Sequence, residues 1–280
     1  MTDELLQAYD DQLRTEAELV DAAEVIRIGP LWCATFEHRT RGFVTYRDLA
    51  GAAGAGLDGL VRQAVAHFRD TTAVASFEWK TRGHDRPADL ADHLVAHGLQ
   101  AQEPETVMVG PAAALAAPVP LPAGVTVRRA GASADLAEGA DPDEDAGLAE
   151  DAARASELQE RVFGGGTGPG AQQLVADLAA HGDRLTLWLA EAGGRVVCAG
   201  RLSVVPGTQF AGLWGGATDP AWRGQGIYRA LTAARARHAL EHGVRYLHSD
   251  STEMSRPILA RSGLRAVTTT TPYLWVRIPS

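Results

Sequence analysis

The sequence predicts a mixed α/β protein built from two similar domains, and three observations predict it. A short apolar run at 210–214 passes through a glycine-rich turn into a helical pattern at 230–241. Strand-like and helical runs alternate through the second half of the chain, from 124 to 278. The same series of runs recurs in weaker form in the first half, the signature of an internal repeat. The division that follows is a first domain over residues 1–110, an Ala/Pro-rich linker over 111–123 and a second domain over 124–280.

In the second half, 124–129 reads as a strand, and helical stretches follow around 152–163 and 171–181. Residues 185–191 and 195–205 form a hairpin, with Gly193-Gly194 as its two-residue turn. A central strand covers 209–218, and a long helix covers 229–242 and stops at Gly243. A strand at 246–250 and a helix at 254–262, ended by Gly263-Leu264, come next, and 267–278 supplies the last strands. In the first half, 57–69 is helical by pattern, 74–79 alternates as a strand, 86–97 is helical and ends at Gly98-Leu99, and 106–109 is apolar. Arg86-Pro87 and Arg256-Pro257 start the two short helices alike. Gly51, Gly54 and Gly56 occupy the place of the second half's glycine turn, without its arginine. The Ala/Pro seam reads as a semi-rigid linker, and the acidic patch at 138–145 as a solvated loop.

Bulk properties exclude several classes. A length of 280 residues with 45% hydrophobic content suits one large or two small globular domains. No apolar run approaches the roughly 18 residues of a membrane span, and the acidic start lacks a signal-peptide pattern. Cys33 and Cys198 read as free thiols of a reducing cytoplasm. The net charge of -9 argues against nucleic acid and favours cationic partners such as amines. His238 and His242 have helical spacing but no third ligand, so no metal is expected. A soluble cytoplasmic monomer or homodimer is the expectation.

The strand, glycine turn and helix at 210–241 make a seat for phosphate. The first amides of a helix lack internal partners, its dipole is positive there, and glycine permits close approach. A P-loop would need Gly-Lys-Ser/Thr, which is missing. Gly224-Gln225-Gly226-Ile227-Tyr228-Arg229 comes near a dinucleotide fingerprint, and Asp250 ends the next strand-like run as that fingerprint requires. Against it, Arg229 replaces the third glycine, and the preceding strands read as antiparallel. A third pattern, Arg/Gln-x-x-Gly-x-Gly/Ala, fits residues 223–228 in all but the last place, where Tyr228 stands.

That pattern resembles the coenzyme A loop of the GNAT superfamily of N-acetyltransferases, and the order of elements from 125 to 278 is similar to that family's as well. The resemblance implies a tandem protein with a degenerate first domain, each domain having a central mixed sheet with splayed strands flanked by helices. It implies acetyl-CoA as co-substrate, attacked directly by a primary amine of a small molecule or peptide in a ternary complex. The alternative is a coenzyme A-binding sensor or interaction module without activity. By the same resemblance, Arg223, Gly224, Gln225, Gly226, Ile227, Tyr228 and Arg229 hold the pyrophosphate, and Gly216, Ala217 and Thr218 pair with the pantetheine arm. Gly215-Gly216 stands where the family's central strands part, and an amide near 213–215 faces the thioester oxygen. The strand at 210–217 has no acidic residue, so Asp250 is the first choice as general base, with Glu253 and His248 behind it. Leu259 occupies the position of the family's tyrosine acid, which leaves Ser255, Tyr273 or solvent to protonate the thiolate.

Overall fold

The computed structural model describes residues 2–36, 39–131, 144–164 and 170–278. In chain order the elements are α1 (Thr2–Gln12), β1 (Glu24–Ile28), β2 (Leu31–Phe36), β3 (Arg39–Thr45), α2 (Ala55–Thr71), β4 (Ser76–Arg82), α3 (Leu90–Ala96), β5 (Gln100–Ala101) and β6 (Glu105–Pro111). They continue with α4 (Ala112–Leu115), β7 (Val125–Arg129), α5 (Glu144–Phe163), α6 (Ala171–His181), β8 (Leu185–Ala192), β9 (Arg195–Val204), β10 (Phe210–Thr218), α7 (Ile227–Glu241), β11 (Tyr246–Ser251), α8 (Arg256–Arg261) and β12 (Arg265–Val276). The fold is mixed α/β and divides into two compact units. The first is Met1–Val109 with Asp250–Ala260 and Arg265–Ser280; the second is Gly110–Ser249 with Arg261–Leu264.

In the first unit β1, β2 and β3 run antiparallel, and the chain crosses through α2 to lay β4 parallel to β3. The crossover helix earns its place by periodicity: Leu57, Leu60, Val61, Ala64, Val65 and Phe68 form one buried stripe. Phe68 stacks on Phe77 at 4.3 Å, and Phe77 stacks on Trp275 at 5.4 Å. Trp275 comes from β12, which pairs antiparallel with β4, Tyr273 opposite Trp79. The spatial division therefore does not follow the 1–110, 111–123, 124–280 division along the chain. A strand settles where its apolar face is covered, and Tyr273 and Trp275 complete the core built on Phe77 and Trp79.

The second unit repeats the arrangement. Strands β7, β8, β9 and β10 run antiparallel, and α7 carries the chain over to β11, parallel to β10. Gly193 and Gly194, at φ 54° and 75°, turn the β8–β9 hairpin as the sequence predicts. One face of this sheet packs on α5 and α6 through Ala155, Leu158, Leu174, Leu187 and Ala199; the other packs on α7 through Val197, Cys198, Ile227 and Leu231. The segment predicted as a linker is part of this unit. Leu115 on α4 is buried, and Leu121 packs against the cluster of Ile227 and Leu231. Helix α5 starts at Glu144, earlier than the spacing predicts, and the acidic patch at 138–143 lies outside the described residues. Among the described residues no helix is long and apolar enough to cross a membrane.

Candidate active site

Strand β10 delivers the glycine turn. After Thr218, Asp219 accepts from the Ala221 amide at 3.0 Å and pairs with Arg195 at 2.9 Å, fixing a 3₁₀ turn over Pro220–Trp222. Gly224 and Gly226 then take φ 76° and 80°, the left-handed region that side chains avoid, and α7 opens at Ile227. Buried Ile227 and Leu231 anchor the start of the helix. The first bond inward is from the Ala230 amide to the Gly226 carbonyl, 3.0 Å. Among the described residues the six amides from Gly224 to Arg229 meet no acceptor. Gly224, Gln225 and Arg229 are exposed, so this row of donors opens to solvent. Helix dipole and free amides together form an anion seat.

The corresponding turn of the first unit differs in carrying a carboxylate. Before α2, the Ala50 amide donates to Asp48 Oδ1 at 2.8 Å and the Ala52 amide to the Leu49 carbonyl at 2.9 Å. The Gly56 and Asp58 amides donate to the carbonyls of Ala53 and Gly54, at 3.1 and 3.0 Å. The amides of Gly51, Ala53, Gly54 and Ala55 meet no acceptor among the described residues, but the carboxylate of Asp48 sits at this turn and holds the Ala50 amide.

The strands of the second unit part beside the seat. Pairing of β10 with β11 runs only from Phe210 opposite Tyr246 to Gly212 opposite His248, while β10 continues to Thr218. Where the ladder stops, Ser249 Oγ donates to the Leu213 carbonyl at 3.1 Å. On its other edge, β10 pairs Trp214 with Arg201 and Ala217 with Ala199, so Gly215 and Gly216 together face Gly200. This is a β-bulge with Gly215 at φ 59°. Gln159 of α5 donates to the Gly215 carbonyl at 2.7 Å and holds the bulge from one face. From the other face the Tyr228 ring lies against Gly216, 2.7 Å from where a Cβ would stand. Glycine at 216 thus makes room for the bulky residue at 228. Arg223 Nε donates to the Thr218 carbonyl at 3.2 Å, tying the exposed arginine to the strand end.

Residues 126–249, which include the bulge, the parted strands and the glycine turn, match the family model of the acetyltransferase (GNAT) domain. The chain carries a GNAT domain. Solved structures extend the likeness in fold beyond it. A GCN5-related N-acetyltransferase from Kribbella flavida is 14% identical, with 98% of this chain and 95% of that chain covered and a TM-score of 0.62. A tandem GNAT protein from the clavulanic acid biosynthesis pathway is 15% identical, with coverages of 99% and 96% and a TM-score of 0.56. A GCN5-related N-acetyltransferase from Sphaerobacter thermophilus is 17% identical, with coverages of 90% and 78% and a TM-score of 0.60. No curated protein matches the sequence.

Of the residues expected to move protons, His248 stands at the point where β10 and β11 begin to part. It is on the last rung of the β10–β11 ladder, with its ring edge-on to Trp214 at 5.2 Å. Asp250, two residues on, belongs to a buried ionic network of the first unit. Its Oδ2 lies 2.6 Å from Lys80 Nζ; Lys80 also reaches Glu18 at 3.5 Å, and Glu18 binds Arg82 at 2.6 Å. Burial disfavours the Lys80 ammonium, but the carboxylates of Asp250 and Glu18 outweigh it and hold its pKa above the usual lysine value. Protonating Asp250 would strip Lys80 of its nearest counter-charge, a poor property in a general base. Tyr273 lies in the core of the first unit, where burial raises its pKa. Ser255 Oγ turns back to the Thr252 carbonyl at 3.3 Å, at the start of α8. Glu253 is exposed and pairs with Arg256 at 3.0 Å. Leu259 is fully buried. His238 and His242 bond to the carbonyls of Asp183 and His238, and among the described residues no cluster of three or more metal-ligating side chains occurs.

Sequence reasoning missed Gln159 and Lys80. Gln159 lies 56 residues from the carbonyl it holds, and Lys80 lies 170 residues from Asp250, so neither leaves a local pattern.

Proposed function

We propose that the protein is an acetyl-CoA-dependent N-acetyltransferase of a primary amine in a small molecule or peptide, working as a cytoplasmic monomer or homodimer. The row of acceptor-free amides from Gly224 to Arg229 carries this reading. They suit the pyrophosphate, with the Arg223 and Arg229 guanidinium groups at the mouth. The edge of β10 left open beyond Gly212 suits the pantetheine arm at Gly216, Ala217 and Thr218. The amine lone pair attacks the thioester carbon, a C–N bond forms, and the carbonyl π pair moves onto oxygen. An amide near 213–215 suits that oxyanion. Collapse breaks the C–S bond, the thiolate leaves and takes a proton from solvent, and the amine's proton passes to a base. The Asp48 carboxylate at the turn before α2, which repels phosphate, supports a degenerate first unit that seats no cofactor.

For the base we favour His248 over Asp250, because Asp250 is committed to Lys80. His248→Gln is expected to lower kcat by about 10²-fold at neutral pH with acetyl-CoA affinity unchanged. Asp250→Asn is expected to lower the melting temperature first. Wild-type kcat in His248→Gln would return the role to Asp250, Glu253 or a water chain.

The fully buried Leu259 and the committed Asp250 favour one second reading, a coenzyme A-binding module without turnover. Free-thiol release from acetyl-CoA across a panel of primary amines separates the two. Release with any amine supports the transferase; tight acetyl-CoA binding with no release across the panel supports the module.

A further inference from the structure

We infer that Arg235 is a positioning residue for acyl transfer, a buried guanidinium held beneath the Gly215-Gly216 bulge that supplies positive potential where the thioester reacts. This rests on the transferase reading above. Arg235 is on α7, with a relative exposure of 0%. Its Nη1 donates to the Arg201 carbonyl at 3.0 Å and its Nη2 to Thr232 Oγ1 at 3.1 Å. Its Nε meets no partner, and among the described residues it makes no ion pair. A buried cation without a carboxylate is destabilising, and replacing such charges by apolar groups is often neutral or favourable. Stability alone therefore gives no reason for it.

Its placement does. The sheet makes room for the guanidinium at one point, Gly200, where a Cβ would stand 2.8 Å from Nη1 and 3.1 Å from Cζ. Gly200 is the residue that faces the two-residue bulge. Tyr228, Thr232 and Arg235 fall at helical spacing on one stripe of α7. Thr232 Oγ1 also donates to the Tyr228 carbonyl at 2.8 Å, the Arg235 guanidinium lies 5.8 Å from the Tyr228 ring centre, and that ring covers Gly216. The stripe thus links the cation to Gly216, where the segment proposed to hold the pantetheine arm adjoins the 213–215 amides proposed to face the thioester oxygen. Negative charge develops there twice, first on the carbonyl oxygen and then on the departing sulfur. With Leu259 in place of a proton donor, that sulfur leaves as a thiolate, which raises the demand for a fixed positive charge. Such a charge in a water-poor site acts without reorganisation.

Arg235→Met and Arg235→Lys in the full chain test this. Three readouts are needed: melting temperature, acetyl-CoA Kd by calorimetry, and kcat for thiol release with an amine the wild type accepts. Arg235→Met is expected to keep or raise the melting temperature, leave Kd within about threefold, and lower kcat by roughly 10- to 100-fold. Arg235→Lys, which keeps the charge, is expected to recover most of kcat. Unchanged kcat in Arg235→Met overturns the inference. So does an unfolded or strongly destabilised Met variant, or a loss that lysine does not repair, since either marks a packing role. A wild type that binds acetyl-CoA but releases no thiol overturns the transferase reading instead.

Discussion

Gly226→Glu is expected to abolish acetyl-CoA binding while the fold persists. Gly226 has φ 80°, and a Cβ there would meet only the Pro120 carbonyl and Val119 Cγ1, each at 3.7 Å, so a side chain fits sterically. The left-handed backbone costs an L-residue about 1–2 kcal/mol, which a folded domain tolerates. The carboxylate, by contrast, lands among the six free amides, where it both repels phosphate and competes for its donors. A rise in Kd of at least about 100-fold, or roughly 2.7 kcal/mol, is expected by calorimetry, and adding Arg223→Ala deepens it. Gly226→Ala separates strain from charge and is expected to weaken binding much less. Undiminished affinity in Gly226→Glu would remove the turn from the cofactor site.

The second large effect concerns stability. Lys80→Ala leaves Asp250 buried beside Glu18 with its closest cation gone. Breaking one side of such a pair costs about 3–5 kcal/mol, a large part of a domain's stability. Removing both charges, as in Lys80→Met with Asp250→Leu, is expected to recover most of that loss in denaturant unfolding, because no uncompensated carboxylate remains. A loss below about 1 kcal/mol in Lys80→Ala would mean that water or another cation replaces the ammonium.

These two effects mark what local sequence could and could not reveal. The turn at 224–226, the Gly193-Gly194 hairpin and the bulge at Gly215-Gly216 each depend on backbone conformations that glycine alone adopts freely, so they were legible from composition and spacing. The pattern read as a repeat has a counterpart in the fold, where both crossover helices follow a strand and a glycine turn. What escaped was set by distance along the chain. Asp250 read as a lone acid at a strand end, and only folding brings Lys80 to it from 170 residues away. Tyr273 read as a possible proton donor, yet it fills the first unit's core because β12 pairs with β4 rather than staying with the segment that precedes it. Val119 and Leu121 read as linker and instead lie beside the start of α7, since an apolar side chain packs wherever the nearest apolar surface is offered.

The most direct test of the central claim is the stoichiometry of acetyl-CoA binding to the full chain by isothermal titration calorimetry. The open turn before α7, and the Asp48 carboxylate at the turn before α2, which repels phosphate, together predict one site per chain, lost in Gly226→Glu. No binding, two sites per chain, or one site indifferent to Gly226→Glu would contradict it.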